Sequence, residues 1–420
     1  MSARRHRLVG AISAAGAFLA LSTPAPAANA DWDDLFQPIL DAFSFVDPGI
    51  AADTDPGSSL ASLDSLFDGW YQNLVYTPLN SIAPWLFATS DVPGSAVAYG
   101  PDTPVDQLPT SFTVPMDVNL TTQPVVNVSV GGGAQTEVLV DTGAAGLVIP
   151  IWNINPFGIT GLPTGFNIGQ FGGYLNYFYL ELPTTVTFDG FDADGVAGSV
   201  TADTSVAAVL FAFPADFNIF GPWSIEDYLA GTSTGILGIG PNALGPTVDH
   251  IPTADLPGEL GKGVLIDQPG GQLVFGANPL EGGIVVQGAP WSTLHVSLNG
   301  ANPTPVNSVI DSGGVFGTMP RSVLTAAGVT PTANGSLPVG TTVQVYTPGG
   351  QLLYEYTIGE TRYPGDQDPQ DWPLLRSPVV INSGGMNTGN FLFAQQPVYI
   401  DYTAPDGKGL TIIGGTPIEL

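Results

Sequence analysis

The chain has no cysteine among its 420 residues. That excludes a disulfide framework and any thiolate metal site. A chain built this way must rely on its core. Basic side chains are scarce too: 8 Lys plus Arg face 37 Asp plus Glu, for a formal charge of −29. Three of the eight (Arg4, Arg5 and Arg7) stand at the very start, and their removal would leave −32. Such a surface repels phosphate backbones and anionic headgroups, so nucleic acid is not expected as a partner. Long apolar runs are also missing. The stretch Leu8 to Leu21 is too short and too rich in Ala and Gly to span a bilayer.

That stretch instead fits a secretory leader. A basic start precedes a short apolar segment, and Ala28-Asn29-Ala30 offers a small-x-small cut, with Ala25-Pro26-Ala27 as a second. Residues 1–30 are therefore expected to be a signal peptide, and the mature protein to be secreted or at the cell surface. Residues 31–105 look unlike the rest. Trp32, Leu35, Phe36, Ile39, Leu40 and Phe43 fall on one helical face, as do Leu60, Leu63, Phe67, Trp70 and Leu74. Short amphipathic helices are predicted there. Packing on the main domain, a pro-segment and a surface anchor all remain open readings. Residues 31–100 carry no Lys or Arg, so any inhibition they exert would be steric.

From about residue 110 the pattern turns to strands. "TSFTVPMDVNL", "QPVVNVSV" and "TEVLVDTG" are β-branched and alternating, and 54 Gly and 39 Pro punctuate the chain. The expected fold is mainly β, with a few short helices such as "RSVLTAAG" after Pro320.

Two segments repeat one pattern. "VLVDTGAAGLVIP" (138–150) and "SVIDSGGVFGTMP" (308–320) each place an apolar pair before an Asp, a hydroxyl and a Gly after it, and a Pro nine residues on. A strand that delivers Asp into a Gly turn aims one carboxylate. Gly143 and Gly313 allow an approach that a Cβ would block, and Thr142 and Ser312 can hydrogen-bond to the opposite loop. If two half-domains meet about a pseudo-twofold axis, Asp141 and Asp311 come face to face. Two carboxylates that close cannot both ionise, so they share a proton. One then serves as general base on water and the other as general acid on a carbonyl. No cofactor is required.

The chain here resembles the pepsin-like aspartic proteases over about residues 110–420. "GILGIGP" (235–241) is similar to the strand crossing behind the first catalytic loop, and "GGQLVFGANP" (270–279) to the strand closing the first lobe. More closely, "VDTGAAGLVIP", "NYFYLELPTTVTFDG" and "NTGNFLFAQQPVYIDYT" resemble the PecA-like aspartic protease domain of mycobacterial PE-family surface proteins. The resemblance implies a bilobal fold with its cleft between pseudo-symmetric lobes, at residues 106–285 and 286–420. It also implies catalysis by Asp141 and Asp311, and a protein or peptide substrate drawn from surface or secreted proteins, self-cleavage included. A monomer associated with the cell envelope is expected. The helical export domain of that family is not matched: Tyr71 and Tyr76 are followed at the fourth residue by Val75 and Asn80 rather than an acid.

Other expectations follow. A hairpin with an aromatic should cover the cleft, and Tyr174, beside Gly172-Gly173, is the candidate flap residue. Ala144 and Gly314 stand where pepsin-like motifs often carry a hydroxyl. Without those donors the dyad should hold its proton to higher pH, giving a mildly acidic optimum. "GTSTG" (231–235) matches a nucleophile-elbow string, but its strand-turn-helix context is lacking, so Ser233, His250 and His295 read as structural. "DGFDADG" (189–195) and "GDQDPQD" (365–371) read as acidic turns rather than calcium loops, and no metal is expected. The rival of a different class is a non-catalytic pepsin-like binding protein or adhesin.

Overall fold

The computed structural model describes residues 97–362 and 374–417. The leader, the helices expected before residue 97 and the acidic turn at 365–371 lie outside these. Among the described residues strands dominate, in one 15-stranded sheet, one seven-stranded sheet and the short pair Leu280–Glu281 with Thr416–Pro417.

The large sheet carries the first motif. Thr136–Asp141 and Ala145–Pro150 flank Gly235–Ile239, which runs parallel to the former and antiparallel to the latter. All residues of Gly235–Ile239 and Ala145–Pro150 are buried, so neither strand shows the alternation of a half-exposed one. The seven-stranded sheet repeats the arrangement. Thr304–Val309 leads to the second motif, and Met386–Asn387 runs parallel to it and antiparallel to Thr318. The pseudo-twofold relation is thus written in strand register.

The chain end ties the halves together. Val398–Asp401 pairs with Gly263–Asp267, and Leu410–Ile413 pairs with Ile284–Gln287, all within the large sheet. One hydrophobic core cluster runs through both sheets, from Phe112, Phe188 and Phe275 to Leu294, Val345 and Phe393. Each such side chain contributes about 1.5–3 kcal/mol by leaving water. Phe188 also packs edge-on against Phe275 at 4.9 Å between centroids.

The helix expected after Pro320 forms over Arg321–Ala327 and ends at Gly328, whose φ of 67° is the left-handed C-terminal cap. The sheet begins inside the expected linker: Val97–Tyr99 pairs with Gly198–Val200. Leu175–Asp192 and Ala197–Pro214 pair along their whole length, and Gly165–Phe171 adds a third strand. The turn joining that third strand has positive φ at Gly172 (54°) and Gly173 (75°), which a side chain would resist.

Candidate active site

The two motif loops lock to each other through their hydroxyls. Thr142 Oγ1 donates to the Ile310 carbonyl (2.6 Å) and accepts from the Ser312 N–H (2.9 Å). Ser312 Oγ donates to the Val140 carbonyl (2.7 Å) and accepts from the Thr142 N–H (3.0 Å). Both side chains are fully buried, so these bonds face no competition from water.

This lock brings Asp141 and Asp311 together. The Gly143 N–H donates to Asp141 Oδ1 (2.7 Å), and the Gly313 N–H to Asp311 Oδ1 (2.9 Å). Each glycine lies against the opposite carboxylate. A Cβ on Gly143 would stand 2.8 Å from the Asp311 carboxyl carbon, and one on Gly313 2.8 Å from that of Asp141. Burial pushes the Asp141 carboxyl well above its usual range, and the charge of Asp311 and a hydrogen bond with it push the same way. The Gly143 and Ala144 N–H groups oppose the shift without cancelling it. Two carboxyls this close and this buried favour sharing a proton over ionising together.

Ala144 and Gly314 bring no hydroxyl to the carboxylates, but Asp311 has a side-chain donor from elsewhere. Asn387 Nδ2 donates to Asp311 Oδ2. Gly314 makes room: a Cβ there would lie 2.2 Å from Asn387 Oδ1. A distant segment therefore supplies what the loop lacks. Its neighbours also serve the loop. Thr388 Oγ1 accepts from the Asp311 N–H (3.1 Å), and Asn390 Nδ2 donates to the Ser312 carbonyl (2.9 Å). Asn390 and the buried Gln268 exchange a reciprocal pair of amide bonds, both 3.0 Å. None of these four residues was a sequence candidate. The only sequence signal is that "MNTGN" occupies in the second half the register that "GILGI" occupies in the first.

The hairpin aromatics divide between an exposed turn and a buried face. Tyr174 is 71% exposed at the turn. Along the strand that follows, Leu175, Tyr177 and Tyr179 share the buried face by period-two alternation, in one cluster with Leu139 and Ala144. Tyr177 stacks on Phe171 at 4.9 Å between centroids, and Phe171 on Tyr228 at 6.1 Å. Burial raises the Tyr177 phenol, and the charges of Tyr179 and Asp141 add to it. Tyr228, on the short helix Ile225–Tyr228, is pushed up to about 12 by burial, then by Asp141 and Asp311. Tyr177 and Tyr228 are thus buried tyrosines whose phenols feel the dyad.

Among the described residues the nucleophile-elbow serine makes no hydrogen bond to a histidine. Ser233 Oγ is buried and receives no hydrogen bond, while His250 lies 3.9 Å from both Glu181 and Asp255. His295 sits on the strand Trp291–Leu298. Asp192 spends its carboxylate on Tyr99 OH and the Asp194 and Val196 N–H groups, which makes "DGFDADG" an acidic turn. Among the described residues no group of three or more His, Cys, Asp or Glu could hold a metal.

Comparison with protein families matches residues 112–411 to the PE-PGRS C-terminal aspartyl peptidase-like domain. The chain belongs to that family. PE cleavage protein A of Mycobacterium tuberculosis is 41% identical over 322 residues, covering 71% of this chain and 51% of the relative. PE cleavage protein A of Mycobacterium marinum is 41% identical over 315 residues, covering 71% and 52%. The chain spans about half the length of the curated relatives it matches. Among solved structures, an aspartic proteinase from Irpex lacteus aligns at TM-score 0.47 with 17% identity, covering 73% of this chain and 98% of that one. In this aspartyl peptidase-like domain, the matched span contains both motif loops and Asn387.

Proposed function

We propose that the protein is an aspartic endopeptidase that cleaves peptide bonds in surface or secreted proteins, its own linker included. The observation that carries the reading is the face-to-face pair Asp141 and Asp311, each held by its own loop glycine and locked by reciprocal Thr142 and Ser312 hydrogen bonds. Such a pair can divide acid and base roles between chemically identical groups.

In the reaction, the ionised carboxylate removes a proton from water as its oxygen attacks the scissile carbonyl carbon. The protonated carboxyl, Asp141, gives its proton to the carbonyl oxygen. The tetrahedral diol then collapses. Its hydroxyl returns a proton to Asp141, the amide nitrogen takes the proton held by Asp311, and the C–N bond breaks. The dyad ends as it began.

Support for a protein substrate comes from the relatives, whose name is PE cleavage protein A. Digestion of a peptide pool by the chain from Asp31 onward, read by mass spectrometry, tests the reading. Internal cuts are expected. Trimming confined to peptide ends would contradict an endopeptidase.

A further inference from the structure

The two halves of the site differ at one register position. In the first half, Ile236 pairs with Leu139, two residues before Asp141, and with Val148, seven residues after it. In the second half, Asn387 pairs with Val309, two residues before Asp311, and with Thr318, seven residues after it. The same structural position therefore holds a buried isoleucine behind one carboxylate and an amide behind the other. The amide is aimed. Its Oδ1 accepts from the Gly389 N–H (2.9 Å), which leaves Nδ2 to donate to Asp311 Oδ2. The Asn387 N–H is held by Thr318 Oγ1 (3.1 Å). Gly314 keeps the path between amide and carboxylate open, whereas Ala144 stands at the matching place in the first loop.

An Asn Nδ2 can only donate, and its bond is stronger to a charged carboxylate than to a neutral one. Resting on the protease reading, we infer that Asn387 is a positioning residue that fixes the negative charge of the dyad on Asp311. It thereby makes Asp311 the base that takes the proton from water and leaves Asp141 as the acid. Among the groups facing the pair, Ala144 N–H is a second backbone donor to Asp141 beside that of Gly143, whereas Asn387 is a side-chain donor to Asp311. Tyr177 and Tyr228 are both phenols whose burial keeps them neutral, and Tyr228 senses both carboxylates. Phe316, five residues after Asp311, has the Arg376 guanidinium over its ring at 5.6 Å.

The test compares kcat and KM from pH 3 to 7 for the wild type, Asn387→Ala and Asn387→Asp. The acidic limb, where the pair takes its second proton, should move up by about one pH unit in Asn387→Ala. Activity below that limb should fall about tenfold, with KM little changed. Asn387→Asp keeps the shape and loses the donor, and should move the limb further. A merely structural asparagine would lower the rate at every pH and leave the limb in place. Titration of 13C-labelled aspartate by NMR reads the same shift without turnover. If no form cuts peptides, the protease reading falls while the NMR titration still decides the role of Asn387. A dyad titration unmoved in both variants would overturn the inference.

Discussion

Replacing Thr142 with valine isolates the lock between the loops. Valine keeps the shape of threonine and removes only the hydroxyl. Two partners are then stranded: the Ile310 carbonyl, which received the 2.6 Å bond, and the Ser312 N–H, which gave the 2.9 Å bond. Thr142 is fully buried, so water cannot replace either bond. Each unpaired group costs about 1–3 kcal/mol, hence about 2–6 kcal/mol in all. That is a large fraction of the roughly 5–15 kcal/mol that holds a domain folded. The reciprocal pair from Ser312 survives, so folding should persist at reduced stability. Thr142→Ser retains both bonds and should lose only about 1 kcal/mol for the missing methyl group. Urea denaturation of the three proteins measures the difference, and peptide hydrolysis on the same samples shows whether the carboxylates still meet. The reasoning is refuted if Thr142→Val is within about 0.5 kcal/mol of wild type, or if serine is as damaging as valine.

Because the Asp141 carboxyl is raised on folding, the folded state binds its proton more tightly than the unfolded chain. The associated stability is present at low pH and declines as pH rises from the unfolded carboxylate range through the folded value. Asp141→Asn removes that dependence, so its melting temperature should exceed that of wild type at pH 7.5, with the gap closing near pH 4; a constant gap would contradict the assignment. The same shift extends activity above strongly acidic pH, and a rate profile peaking near pH 2 would oppose it. Gly143→Ala places a methyl 2.8 Å from the Asp311 carboxyl, so a soluble variant should lose at least about tenfold in kcat, measured with a peptide substrate. Tyr177→Ala should lower both stability and kcat/KM, whereas Tyr174→Ala, at an exposed turn, should leave thermal melting unchanged.

What was legible in the sequence was local. The twin motifs declare themselves because strand, Asp, hydroxyl and glycine lie within a few residues of one another. "GILGIGP" is readable because a strand buried on both sides must be wholly apolar, and its glycines tolerate crossing behind a loop. The contribution of Asn387 is not local. It arrives 76 residues after Asp311, and an asparagine before Thr-Gly looks like any turn. Only the strand register shows that "MNTGN" answers "GILGI". In the hairpin, the glycine turn points to Tyr174, while counting in twos from the buried Leu175 leads to Tyr177 and Tyr179 on the packed face. The apolar stretches before residue 97 form a pattern without a described counterpart, so their reading stays at the level of amphipathic spacing.

The central claim is that Asp141 and Asp311 act as one catalytic unit. The direct measurement is the rate of cleavage of a single peptide, chosen from the digestion, by wild type, Asp141→Asn and Asp311→Asn across pH 3 to 7. The account predicts that each substitution alone lowers kcat by at least about a thousandfold at every pH, while circular dichroism shows the fold intact. A variant that keeps more than a tenth of wild-type activity would contradict it.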